Sequence, residues 1–131
     1  MTDDQAAGAQ LHHAYVAAIN SNDIDRMMAL LADDVVFQVS GEPELVGHDA
    51  VREWGASFFE AFEARYDKQQ TDFGLSGDLA FARYTYTARF VGREDGAVIG
   101  ETGKGTTVFR RQADGPWLLI IDSWSRDAGS Q

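Results

Sequence analysis

The chain has 131 residues, 44% of them hydrophobic and 24% charged, with a formal net charge of −10 and no cysteine. That length suits one domain with one core, the missing thiols exclude disulfides, thiol catalysis and thiolate metal sites, and the acidic balance disfavours nucleic acid and anionic membrane as partners. No apolar run approaches the roughly 18 residues of a membrane span, and Met1-Thr2-Asp3-Asp4 lacks the basic and apolar regions of a signal peptide, so a cytoplasmic protein is expected.

Residues from about Asp4 to Ser21 read as a helix, with Leu11, Tyr15 and Ala18 on one apolar stripe and Ala14 beside it. Tyr15 then points inward, as a core tyrosine with a satisfied hydroxyl or as a donor to a ligand. His12 and His13 flank the stripe and are expected at the surface. With His48 they make three histidines without a multi-His spacing, so no metal site is expected. Asn22-Asp23 offers a cap for a second helix whose buried face is Ile24, Met27, Leu30 and Leu31, and which stops at Asp33-Asp34. Val35 to Ser40 alternates as a strand, Gly41-Glu42-Pro43 turns the chain, and Leu45-Val46 pairs back as a short arm. After Gly47 a third helix carries Val51, Trp54, Phe58 and Phe62 on one stripe, as core or as a pocket wall.

From Arg65 the period becomes two. Tyr66 to Leu75 reads as a polar strand with one solvated face. Leu79 to Val91 sets Ala82, Tyr84, Tyr86, Ala88 and Phe90 against Arg83, Thr85, Thr87 and Arg89. Asp95-Gly96 gives a hairpin turn. In the next strand, Val98 to Arg111, the residues Gly100, Gly103 and Gly105 suggest bends or bulges. Arg110-Arg111 reads as a solvated strand end. After the turn at Ala113 to Pro116, Trp117 to Trp124 reads as a central strand. Strict alternation puts Leu118, Ile120, Asp122 and Trp124 on one face and Trp117, Leu119, Ile121 and Ser123 on the other. The first set faces the interior, so one acid sits in a row of large apolar groups. The second set is too apolar to face water, so a homodimer through the sheet is expected. The expected fold is α+β, with three N-terminal helices packed on a strongly curved antiparallel sheet that forms a cone with an internal pocket. Residues 1–131 form one domain, with 1–5 and 127–131 disordered.

Several segments, taken in order and spacing, resemble the NTF2-like superfamily (nuclear transport factor 2, ketosteroid isomerase and SnoaL-like proteins). They are Tyr15 through Asp23, Leu30 through Phe37, Leu45-Val46-Gly47 before the Trp54 helix, Val108 through Arg111, Asp114 through Trp117, and Asp122-Ser123-Trp124. The resemblance runs from about Gln10 to Arg126. It implies a curved sheet around a helix-lined pocket, commonly dimerised through the sheet, but no single activity. Tyr15 falls on the position of the isomerases' oxyanion tyrosine and Trp124 resembles a pocket tryptophan. The isomerases' carboxylate base falls on or near Val39 and their second oxyanion acid near Thr107; a valine cannot move a proton, and a threonine is a much weaker donor than a protonated acid. Epoxide hydrolases of the superfamily use pocket Asp and Arg with a water; Arg83 and Arg89 point away from Tyr84 and Tyr86, which disfavours that chemistry.

Asp122 is the candidate substitute for the missing acid. A carboxylate isolated among Ile120, Trp124 and helix aromatics would be disfavoured as the anion and suited to general acid or base work with Tyr15; alternatively it orders the core. Phe37, Val39, Trp54, Phe58, Tyr84, Tyr86, Thr107, Phe109, Ile120 and Trp124 are the expected pocket residues, fit for a small hydrophobic or aromatic ligand. Two functions fit: a SnoaL/ketosteroid-isomerase-type binder of a small hydrophobic molecule that performs proton transfer (isomerase, cyclase or dehydratase-like), or a non-catalytic ligand-binding or dimeric association module. No metal or organic cofactor is implied.

Overall fold

The computed structural model describes residues 3–129. The order is α1 (Asp3–Asn20), α2 (Ile24–Met28), β1 (Leu31–Gln38), β2 (Leu45–Val46), α3 (His48–Ala61), β3 (Phe62–Ser76), β4 (Leu79–Gly92), β5 (Val98–Arg111) and β6 (Trp117–Arg126). The strands make one curled six-stranded sheet in the order β2-β1-β6-β5-β4-β3. The α+β class holds, with two differences from expectation. The sheet is mixed, because β1 runs parallel to β6 while the other neighbours are antiparallel. The second helix, expected to run to Asp33-Asp34, is a single short turn, while α3 follows β2 as its place after Gly47 predicts. Of the termini expected to be disordered, residues 1–2 and 130–131 lie outside the described residues. Asp3 starts α1, and Asp127 accepts from Thr102 and Lys104. Among the described residues no helix is long and apolar enough to cross a membrane.

Helix α1 buries His12, Tyr15, Ala18 and Ile19, while Ala14 is exposed. Its inner stripe is therefore rotated toward His12, which is 1% exposed rather than at the surface. The helix ends where Asn22 takes a left-handed backbone, φ 57°, a conformation Asn tolerates better than most residues. Two amides then lock it to β3. The Asn20 side chain donates to the Tyr66 carbonyl at 2.9 Å and accepts from its N–H at 2.7 Å. Asn22 does the same to Ala64, at 2.9 and 2.7 Å. β3 is an edge strand, and these amides occupy backbone groups that would otherwise invite another strand.

Asp23 caps α2 through the Asp25 and Arg26 N–H groups. The helix stops at Met28, so Leu30 and Leu31 do not extend it; Leu31 opens β1 instead. β1 is irregular between Leu31 and Val36, where Asp33 and Asp34 turn outward. Arg110 holds Asp34 there with two hydrogen bonds, at 3.1 and 2.8 Å. Arg111 donates to Asp78 and covers Trp117, so the arginine pair is used within the fold. In α3, Val51, Gly55 and Phe59 are buried and Trp54 and Phe58 half-buried, while Phe62 already belongs to β3.

The interior is organised by two departures from plain strands. The first lies in β6. Val108 pairs with Ile121, but Phe109 pairs with Leu119, so Ile120 is an extra residue in the ladder. A bulge reverses parity. Leu119, Asp122 and Trp124 therefore share the inner side, with Leu119 1% exposed, and Ile120 leaves it. The expected grouping of Ile120 with Asp122, and of Leu119 with the outer face, is corrected by this single residue. The second lies in β5. Gly103 and Gly105 pair with β4 and β6 without irregularity, so they are not bulges. They leave room for Tyr86 and Tyr84 to lie across the strand. A methyl on Gly105 would sit 2.5 Å from the Tyr84 hydroxyl and 2.7 Å from the Ser123 carbonyl.

Two outcomes are expected. Gly105→Ala must displace Tyr84 or the β5–β6 backbone, and should lower stability by about 2 kcal/mol; chemical denaturation of the two proteins measures this, and an unchanged midpoint would show that Tyr84 does not need the space. His12 is held neutral, its pKa lowered from 6.5 to about 4 by burial first and then by the Lys68 and His13 charges. As pH falls below about 6.5 the unfolded chain takes up a proton that the folded chain refuses, so stability declines down to about pH 4, by on the order of 3 kcal/mol. His12→Phe should flatten that part of the denaturation-versus-pH curve; an identical slope in the variant would remove His12 as the cause.

Candidate functional site

Asp122 stands where β6 has just changed parity, and only 2% of it is exposed. Three hydroxyls from three other elements converge on it. Tyr15 of α1 donates to Oδ2 at 2.8 Å, Tyr84 of β4 to Oδ1 at 2.9 Å, and Thr107 of β5 to Oδ1 at 3.3 Å. Burying a charge without partners is prohibitive, and hydroxyl donors offset much of that cost. The carboxylate is therefore not isolated among apolar groups, as its neighbours in sequence suggest. The same contacts raise the pKa of Tyr15 and Tyr84, through burial first and the Asp122 charge second. Each tyrosine has one proton to donate, and each spends it on Asp122.

A cavity opens beside this cluster. It contains about 30 Å³ of space for water-sized centres, enough for about two waters. Tyr15, Phe37, Trp54, Phe58, Tyr84, Tyr86, Asp122 and Trp124 line it, joined by Ile19, Met27, Phe59, Tyr66 and Lys68. Outside it lies a wider mouth of about 320 Å³ that includes Val39, Glu101 and Arg126. The two spaces share Trp54, Phe58, Tyr66 and Trp124. Trp54 stacks on Phe58 with ring centres 5.6 Å apart, and Phe37 meets Trp54 and Trp124 edge-on. Tyr86 donates to Glu101 at 2.7 Å, linking the inner wall to the mouth.

Of the residues expected around a pocket, eight line the inner cavity and four do not. Val39 is at the mouth. Thr107 is buried behind Asp122 and reaches the site only through it. Phe109 is buried elsewhere in the core, and Ile120 is turned away by the bulge. Arg83 and Arg89 are exposed, on the outward side of β4.

Several residues around the site escaped sequence reasoning. Lys68 is the most consequential. Parity from Tyr66 puts Tyr66, Lys68 and Gln70 on the inner side of β3, where Lys68 pairs with Tyr86. Its ammonium lies 4.4 Å from the centre of the Tyr84 ring, 5.1 Å from that of Tyr15 and 5.4 Å from that of Tyr66. Burial lowers its pKa, against the opposing pull of the Asp122 charge. Among the described residues it forms no hydrogen bond and no ion pair. His12 is three residues before Tyr15, hence on the same helix face, and its ring centre lies 5.4 Å from that of Tyr84. Its Nε2 and the Gln70 Oε1 are buried without a partner among the described residues. No group of His, Cys, Asp and Glu suited to a metal ion occurs among the described residues.

The family model of the SnoaL-like domain matches residues 12–120. Among curated proteins none matches. The crystal structure of a ketosteroid isomerase-like protein from Erwinia carotovora atroseptica is similar with a TM-score of 0.85 and 25% identity, over 98% of this chain and 99% of that one. A candidate dehydratase of the NTF2-like family from Streptomyces avermitilis gives 0.84 and 21%, over 98% and 100%. A protein with a cystatin-like fold from Nostoc punctiforme gives 0.77 and 18%, over 99% and 96%. The chain belongs to the SnoaL-like domain family, and its fold is that of the ketosteroid isomerase-like and NTF2-like structures.

Proposed function

We propose that the protein binds a small, largely apolar and uncharged molecule, with its body against Trp54, Phe58, Tyr86 and Trp124 and its polar end toward Asp122. One observation supports this above the others: a buried carboxylate, clamped by hydroxyls, at the foot of an aromatic-walled cavity. The negative Asp122 and the positive Lys68 balance, so a neutral ligand enters without adding net charge to the interior. Proton transfer is the chemistry such a site would perform, with Asp122 as acid or base. The Tyr15 proton is spent on Asp122, so Tyr15 holds the carboxylate rather than a ligand carbonyl. The binding-only reading draws on the same observation, because Asp122 has few acceptor positions left for a substrate proton.

Association through the outer sheet face belongs to the same proposal. With Leu119 in the core, its apolar strip is the row Val36, Ile121, Val108 and Phe81, which pair in register across β1, β6, β5 and β4. Sedimentation should give twice the 14.4 kDa of one chain at micromolar concentration, and a stable monomer would refute it.

Asp122→Asn should lower stability by about 3 kcal/mol, because charged acceptors hold three hydroxyls. Thermal denaturation checks this; a higher Tm in the variant would mean that the hydroxyls do not compensate the buried charge. Acetophenone, neutral and aromatic, should change the fluorescence of Trp54 and Trp124 saturably, whereas benzoate should not. Equal binding of benzoate, or no binding of acetophenone, would overturn the ligand class. Deuterium uptake from heavy water into the methyl group of bound acetophenone would separate proton transfer from binding alone.

A further inference from the structure

The chain has two lysines, Lys68 and Lys104. Lys104 is an ordinary exposed one, paired with Asp127 at 2.9 Å. Lys68 is the opposite: it points inward from β3, lines the inner cavity, and lies against the faces of three tyrosines. Those faces attract a cation but accept no directed hydrogen bond, so the nitrogen's donors, and its lone pair once deprotonated, remain free for something entering the cavity. Of the tyrosines in the wall, Tyr15 and Tyr84 have already spent their protons on Asp122, and Tyr86 its own on Glu101. Among the described residues Lys68 is thus the one basic side chain of the cavity wall, and it has no hydrogen bond.

We propose that the ligand is an aldehyde or ketone and that Lys68 Nζ captures it reversibly as an imine. This rests on the reading of the inner cavity as a ligand site. A carboxylate ligand, the other natural partner of an amine, would have to share the same small interior with the Asp122 anion. A carbonyl compound brings no charge. The Lys68 ammonium first passes a proton to water, and the neutral nitrogen adds to the carbonyl carbon while one of its own protons moves to the oxygen, giving a carbinolamine. Loss of the oxygen as water, with return of one proton to nitrogen, gives the protonated imine. One ammonium and one carbonyl become one iminium and one water, with no oxidant and no cofactor. Burial of the amine makes its proton easier to lose, which assists the release that precedes attack. The inner space receives the carbonyl end, and the mouth between Trp54, Phe58 and Trp124 takes the remainder of the molecule.

The test is reductive trapping on the intact protein. Benzaldehyde with cyanoborohydride at neutral pH fixes an imine as a benzylamine, and peptide mapping by mass spectrometry reads Lys68 and Lys104 separately. Labelling of Lys68 should exceed that of Lys104 by at least about tenfold, and excess benzyl alcohol should suppress it at Lys68 alone. Comparable labelling at both lysines would overturn the proposal as ordinary surface chemistry. Binding of benzyl alcohol, seen by tryptophan fluorescence, without labelling of Lys68 would overturn the imine and keep the cavity as a ligand site. Failure of both would overturn the cavity reading as well. Lys68→Arg, which keeps the charge, should bind benzyl alcohol and lose the cavity-dependent label.

Discussion

The contact on which the interior depends is the Asp122 carboxylate with its three hydroxyls. It is the meeting point of α1, β4, β5 and β6, through Tyr15, Tyr84, Thr107 and Asp122 itself. Each bond is ordinary alone. Together they are reciprocal, because the hydroxyls make the buried charge tolerable and the charge fixes three side chains from distant parts of the chain. Removing any one leaves the others with an underpaired anion, so the cluster is cooperative and sets the shape of the cavity beside it. A core of aliphatic side chains could fill the same volume, but would not orient two tyrosine rings as the wall of a cavity.

That cluster exists because the sheet departs from regularity in β6 and omits side chains in β5. Without Ile120 as an extra residue, Leu119 and Asp122 would face opposite sides of the sheet. With a Cβ at residue 105, the Tyr84 ring would meet it before reaching β6. The long alternating strand β4 supplies Tyr84 and Tyr86 on one face by simple parity, whereas their reach across β5 depends on the neighbouring strand. The paired amides of Asn20 and Asn22 complete the frame by holding the end of α1 against β3, which brings Tyr15 and Lys68 into one space.

The elements with a strong period were legible in the sequence: α1, α3, the β2 arm and the four-strand meander appear where hydrophobic spacing puts them. What spacing hid were the places where a local exception overrides it. An apolar run such as Trp117 to Ile121 carries no mark of a bulge, since each residue is equally suited to either face. Leu30-Leu31 continues a helical stripe, but β1 gains a strand partner in β6 by starting at Leu31. Within the site, Asp122 and Tyr15 could be singled out because an acid in an apolar strand and a tyrosine on a helix stripe are each conspicuous. Lys68 could not, because in Asp67-Lys68-Gln69-Gln70 every residue is polar and the inner face has no apolar signature. His12 was readable in principle, three residues from Tyr15, but an adjacent histidine pair resembles a solvated edge.

The unequal treatment of the two interior charges bears on what the cavity is for. Asp122 has the partners that a buried ion needs, and a chain selected only for stability would keep it for that reason. Lys68 has tyrosine faces and the field of Asp122, but no hydrogen bond among the described residues. A Met at residue 68 would fill similar space without the desolvation cost, and well-packed apolar replacements for buried ions are often neutral or stabilising. Local rules are most often broken at functional sites, where stability is given up for reactivity. The carboxylate is explained by the fold it orders. The amine is not: it is half-buried, lines the cavity and orders no neighbour through a hydrogen bond among the described residues, which is what the proposal of a ligand for it rests on.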